Sequence, residues 1–136
     1  MSALSSHLEN AIANLILGSA AYSVPGTLHF ALFTTTPNEA GTGGTEVSTS
    51  GTAYARVAVT NNTTNFPTTS NGTKSNGTAF TFPTATASWG TVVGWGIYDA
   101  SSSGNLLFFG NLTTSRSIAS GDTARFATGD ISITFD

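Results

Sequence analysis

The stretch Trp89–Leu112, WGTVVGWGIYDASSSGNLLFFGNL, constrains the fold more than any other part of the chain. Two apolar runs, Val92–Tyr98 and Leu106–Phe109, flank the polar, glycine-bearing segment Asp99–Asn105. A short loop of that composition reverses a chain between antiparallel strands. Both tryptophans lie in this stretch, and large aromatics bury the most area per residue. It therefore reads as the central hairpin of an all-β domain, with the remaining elements packed around it.

The rest of the chain supplies short strands separated by turn signals. Thr27–Thr34 places Leu28, Phe30 and Leu32 on one side and His29, Ala31 and Phe33 on the other, a strand buried on one face and partly covered on its second. Tyr54–Thr60, Thr78–Phe82, Ser117–Ile118, Thr123–Ala127 and Ile131–Phe135 read as further strands. Two long polar segments, 35–52 and 61–74, separate them, and Phe66 is the residue expected to pin the second to the body. About seven or eight strands at roughly ten-residue spacing argue for a jelly-roll-like antiparallel β-sandwich. A single domain over residues 1–136 follows, with an N-terminal helical part at 1–18 and a β body at 19–136.

Residues 4–17, LSSHLENAIANLIL, form the one expected helix. Leu4, Leu8, Ile12, Leu15 and Ile16 recur at three- and four-residue spacing and make one apolar stripe. Ser6 and Glu9 have the spacing of a capping box, and Gly18 stands where a left-handed stop is easily adopted. The stripe must lie on something. Its own sandwich is the simpler choice, closing one end of the core; a neighbouring subunit is the other. Leu4, Leu8, Ile12 and Leu15, with the loop from Glu39 to Glu46, are the candidate intersubunit contacts.

Charge narrows the functional classes. Charged residues make up 8% of the chain, against roughly 25% in ordinary soluble domains. The four basic residues, Arg56, Lys74, Arg116 and Arg125, are scattered along a chain of net charge −3. No basic patch is expected, which argues against nucleic-acid partners. A surface solvated by hydroxyls and amides suits a protein whose faces are covered by copies or partners, and suits an extracellular β domain equally. The apolar segment Ala11–Leu17 is too short to span a bilayer and lacks a basic leader, so no membrane association is expected.

Catalytic chemistry finds little purchase. There is no cysteine, and His7 and His29 lack metal-ligand spacing, so neither a metal nor another cofactor is expected. No Gly-x-Ser-x-Gly elbow occurs. Glycoside hydrolysis needs two carboxylates facing one cleft, whereas Asp99, Asp122 and Asp130 stand beside Gly or Ser, where capping a turn is the simpler role. Gly94-Trp95-Gly96 lies inside an apolar strand, so it marks a bulge or close backbone approach rather than a phosphate loop. The Asn-x-Thr sequons at Asn61, Asn62, Asn71, Asn76 and Asn111 are expected by chance in a chain rich in both residues. The chain is expected not to be an enzyme.

Taken together, LENAIANLIL (8–17), LHFALFTTTPNEAGTGGTEV (28–47), GTAYARVAVT (51–60), TASWGTVVGWGIYDASSSGNLLFFGNL (86–112) and GDTARFATGDISITF (121–135) resemble a family of small bacteriophage virion proteins. Members often carry the label tail fibre protein, and others resemble head decoration or cement proteins. The resemblance implies a virion structural protein and supplies no catalytic residues. The first expectation drawn from it is a capsid decoration protein on the virion surface. It would form a homo-oligomer, dimer or trimer, and bind the outside of the major capsid protein shell. The alternative is a tail-associated fibre or adhesin subunit whose Tyr22, Tyr54, Tyr98 and loop asparagines bind a host glycan.

Overall fold

A computed structural model describes residues 2–135, so the ends of the expected domain, Met1 and Asp136, lie outside the described residues. The chain runs β1 (Ser2–Leu4), α1 (Ser6–Ile16), β2 (Thr27–Thr35), β3 (Thr45–Glu46), β4 (Val57–Thr60), β5 (Thr73–Ser75), β6 (Phe80–Thr81), β7 (Gly90–Tyr98), β8 (Leu106–Ile118), β9 (Arg125–Phe126) and β10 (Ser132–Thr134). The result is an antiparallel β-sandwich with a short N-terminal helix, the class predicted from strand spacing.

The β7–β8 hairpin and β2 are the middle of the main sheet, ordered β1-β8-β7-β2-β3 with β4 also on β2. Leu28, Phe30 and Leu32 of β2 and Val92 of β7 face the core. Phe80, Phe82, Ile131 and Ile133 meet them from a second layer built of two small ladders, β6–β9 and β5–β10. Phe30 lies 4.2 Å from Phe80, centroid to centroid, and stacks parallel to Phe66 at 6.3 Å, so Phe66 does anchor the 61–74 segment. The second face of β2 is also covered: Phe33 is buried and stacks on Tyr98.

Gly94 and Gly96 are sites of close approach. A Cβ on Gly96 would come within 2.8 Å of the Phe33 ring, and one on Gly94 within 3.0 Å of the Gly110 carbonyl oxygen. Asp99, Asp122 and Asp130 cap their turns, accepting the backbone N–H of Asn105, Ala119 and Ala127 respectively.

Several boundaries differ from expectation. Leu4 is not helical; it belongs to β1 and pairs with Phe108. The N-cap is Ser5, not Ser6. Ser5 donates its N–H to the Leu107 carbonyl and its hydroxyl to the Leu106 carbonyl, while the hydroxyl accepts the Leu8 N–H. Anchoring on β8 fixes the helix start there, and Glu9 closes no box with Ser6. The left-handed residue after the helix is Ser19 rather than Gly18.

Ser117–Ile118 is not a separate strand but the end of β8, paired with Gly90–Thr91. Between the pairs Val92↔Arg116 and Gly94↔Asn111, β8 carries three residues more than β7, an irregular bulge over Leu112–Ser115. β1 covers the outer edge of β8 only at Phe108–Gly110, so the bulged half has no neighbour on that side among the described strands.

Candidate functional site

Three surfaces concentrate polar or uncovered groups: the hairpin tip, the helix stripe, and a groove beside the distal half of β8. At the tip, Arg56 is the organising side chain. Its Nε and Nη2 meet the two carboxylate oxygens of Glu46 at 2.9 and 2.8 Å, and Nη1 donates to the carbonyls of Ala100 and Ser103. The guanidinium also lies 3.7 Å from the Tyr98 ring centroid. Partial burial works against its charge, but the paired Glu46 carboxylate outweighs it and holds the arginine above its ordinary value. Glu46, expected as a partner contact, is therefore engaged within the chain.

The tyrosines proposed for sugar contact separate clearly. Tyr54 is buried, donates its hydroxyl to Glu46 and accepts the Leu32 N–H, so it is unavailable to a ligand. Burial first, and the neighbouring Glu46 carboxylate second, hold its hydroxyl far above the ordinary phenol range. Tyr22 and Tyr98 are half-buried. Asp99 is partly buried, which disfavours its charge. Hydrogen bonds from the side chain and backbone of Asn105 overcome that and set its carboxyl below the usual value. Beside this tip, Ser5, His7, Glu39, Tyr98 and Asn105 line a crevice of about 140 Å³. Glu39 thus sits against the helix start, its carbonyl accepting the Ser6 N–H.

The helix stripe is largely uncovered. Leu8 is buried at 6% exposure, but Ile12, Leu15 and Ile16 are 37%, 42% and 71% exposed; beyond the helix, Leu17 at its C-cap and Val24 are 84% and 69% exposed. The expectation that the stripe closes the sandwich core fails after the first turn, because Ser5 fastens only that turn to β8.

The groove, about 600 Å³, lies between the distal half of β8 and the segment 122–130. Leu32 and Val92 are buried in its floor, and Arg116, Asp122, Arg125 and Asp130 line it. Two of the chain's four basic residues thus line one groove, 9 positions apart in sequence but on different strands. Their scarcity was the available signal; the scattered positions hid it. Asp122 and Asp130 share this groove while each holds its turn. Among the described residues, no His, Cys, Asp and Glu side chains gather as a metal site, and no helix is long and apolar enough to cross a membrane.

No curated protein matches the chain. The family model described as Podophage GP4 fiber I protein gp80 matches residues 3–134. This match runs from within β1 to the end of β10, so the chain belongs to that family and is a bacteriophage virion structural protein.

Proposed function

We propose that the protein is a non-enzymatic subunit of a phage tail fibre and docks into the virion through the apolar stripe of α1. The observation that carries this reading is the uncovered set Ile12, Leu15 and Ile16 on the helix, followed by the exposed Leu17 and Val24 just beyond it. Covering the most exposed of these, Ile16, Leu17 and Val24, is worth up to about 2 kcal/mol each, and less for Ile12 and Leu15, which are already more than half buried. A second copy of the chain or another fibre protein that covers several of them would be held firmly. The family's description as a fibre protein supports the tail as the place of assembly.

Capsid decoration is the second reading, with the major capsid protein as partner. It is favoured by the compact sandwich and by the lack of heptads or repeats in the sequence from which a shaft would be built. Locating and counting the protein in purified particles by cryo-electron microscopy and gel densitometry separates the two. A few copies on the tail support the fibre reading. Many copies spread over the head lattice would replace it with decoration.

A further inference from the structure

The groove beside β8 gathers charged groups that keep hydrogen-bonding capacity beyond what the fold uses. Val92 and Arg116 are register partners and so project from the same face of the sheet. Val92 points into the core, which sends the Arg116 stem towards the groove instead of the outer surface. Arg125 enters from β9 in the second layer. Among the described residues, the ion pair of the chain is Arg56–Glu46, and neither groove arginine takes part in it. Among the described residues neither guanidinium has an ion-pair partner, so both forks face the groove ready for a ligand.

The carboxylates complement them. Asp122 and Asp130 each commit Oδ2 to a turn N–H, which leaves Oδ1 able to accept. Thr113 and Thr114 add hydroxyls at the wall. A cavity of about 600 Å³ lies within the range that holds small ligands, roughly 300–1,000 Å³.

We infer that this groove binds an acidic oligosaccharide, with Arg116 and Arg125 receiving its carboxylate or phosphate groups and Asp122 and Asp130 accepting from its hydroxyls. Planar forks match oxyanions in a bidentate way. A uniform polyanion such as a nucleic acid would be repelled by the two carboxylates. A ligand alternating oxyanions with hydroxyl donors satisfies all four side chains. The inference rests on the fibre reading only for its biological setting. Binding is a property of the subunit, so localisation in the particle and ligand titration can fail separately.

The test is isothermal titration of the full chain with tetragalacturonate, sialyllactose and phosphorylated pentamannose. Neutral maltotetraose and a tetraglutamate peptide serve as controls. At least one acidic saccharide should bind, maltotetraose should not, and added salt should weaken the complex. The responding probe distinguishes carboxylate from phosphate as the recognised group. Arg116→Ala and Arg125→Ala should each weaken binding about tenfold, with an unchanged melting temperature because both side chains are exposed. Should either variant melt early, Arg116→Gln and Arg125→Gln keep the stem and serve in its place. Silence from all three acidic saccharides, or full affinity in both arginine variants, overturns the proposal. Equal binding of tetraglutamate also overturns it and gives the groove to acidic peptides.

Discussion

The Asn76 side-chain oxygen accepts the backbone N–H of Ile131 at 2.9 Å, joining residues 55 positions apart. Its amide nitrogen donates to the carbonyls of Thr78 and Ala127 at 2.8 and 2.9 Å, and the residue is 3% exposed. One carboxamide thus ties the segment before β6 to both ends of the turn before β10. Asn76→Ala would strand the buried Ile131 N–H and two part-buried carbonyls, the first at about 1–3 kcal/mol and the others at less each. A loss of about 3 kcal/mol or more is expected by urea denaturation. Asn76→Asp should be at least as damaging at neutral pH, because a carboxylate would face two carbonyl oxygens. The same burial leaves the Asn76 sequon closed to glycosylation.

Arg56 is the second polar anchor, and it holds the hairpin tip through Ala100 and Ser103. Its side chain is 6% exposed, and that of Glu46 is 27% exposed. Arg56→Ala leaves the Glu46 carboxylate without its ion-pair partner, and removing one member of a buried pair costs roughly 3–5 kcal/mol. The partial exposure of Glu46 places the expected loss near the lower end of that range. Arg56→Lys should recover only part of it, since an ammonium cannot span two carboxylate oxygens and two carbonyls together. Thermal melts of the three proteins test this.

Asp99 gives the tip a pH dependence. Its folded-state value lies below the ordinary one, so its ionised form stabilises the fold fully above the unfolded value of about 4. That contribution disappears as pH falls through the lowered value. The melting temperature of the wild type should therefore drop more steeply below about pH 4 than that of Asp99→Asn. Parallel curves for the two proteins would count against the role of Asp99.

The helix separates folding from assembly. Leu8→Ala removes a buried side chain and should cost about 2–5 kcal/mol. Leu15→Ser and Leu17→Ser alter exposed positions, so the isolated chain should melt within about 1 kcal/mol equivalent of wild type. Incorporation of these two variants into particles, read by gel densitometry, should fall sharply. Normal incorporation would remove α1 as the docking surface.

The sequence disclosed the large apolar elements and obscured the short ones. The alternation in Thr27–Thr34 and the aromatics around Trp95 report burial directly, and both strands lie where expected. β3, β6 and β9 are two residues long, too short for any period to register. Leu4 continued the helical spacing by coincidence; its place was decided by Phe108, more than a hundred residues away. The distal half of β8 is polar because its outer side meets solvent, so it carried no apolar pattern. Glu46 and Arg56 were each visible as charges, but their meeting depends on β2 bringing the two loops together. The groove was hidden for the same reason, since its arginines come from different layers.

The bulge over Leu112–Ser115 has a consequence for the life of the subunit before assembly. A straight, uncovered strand edge invites copies to stack indefinitely, each adding to the last. Three surplus residues buckle the edge of β8 just past its cover by β1, which spoils the regular spacing that stacking requires. That edge is thereby a poor template for strand-to-strand addition of another chain.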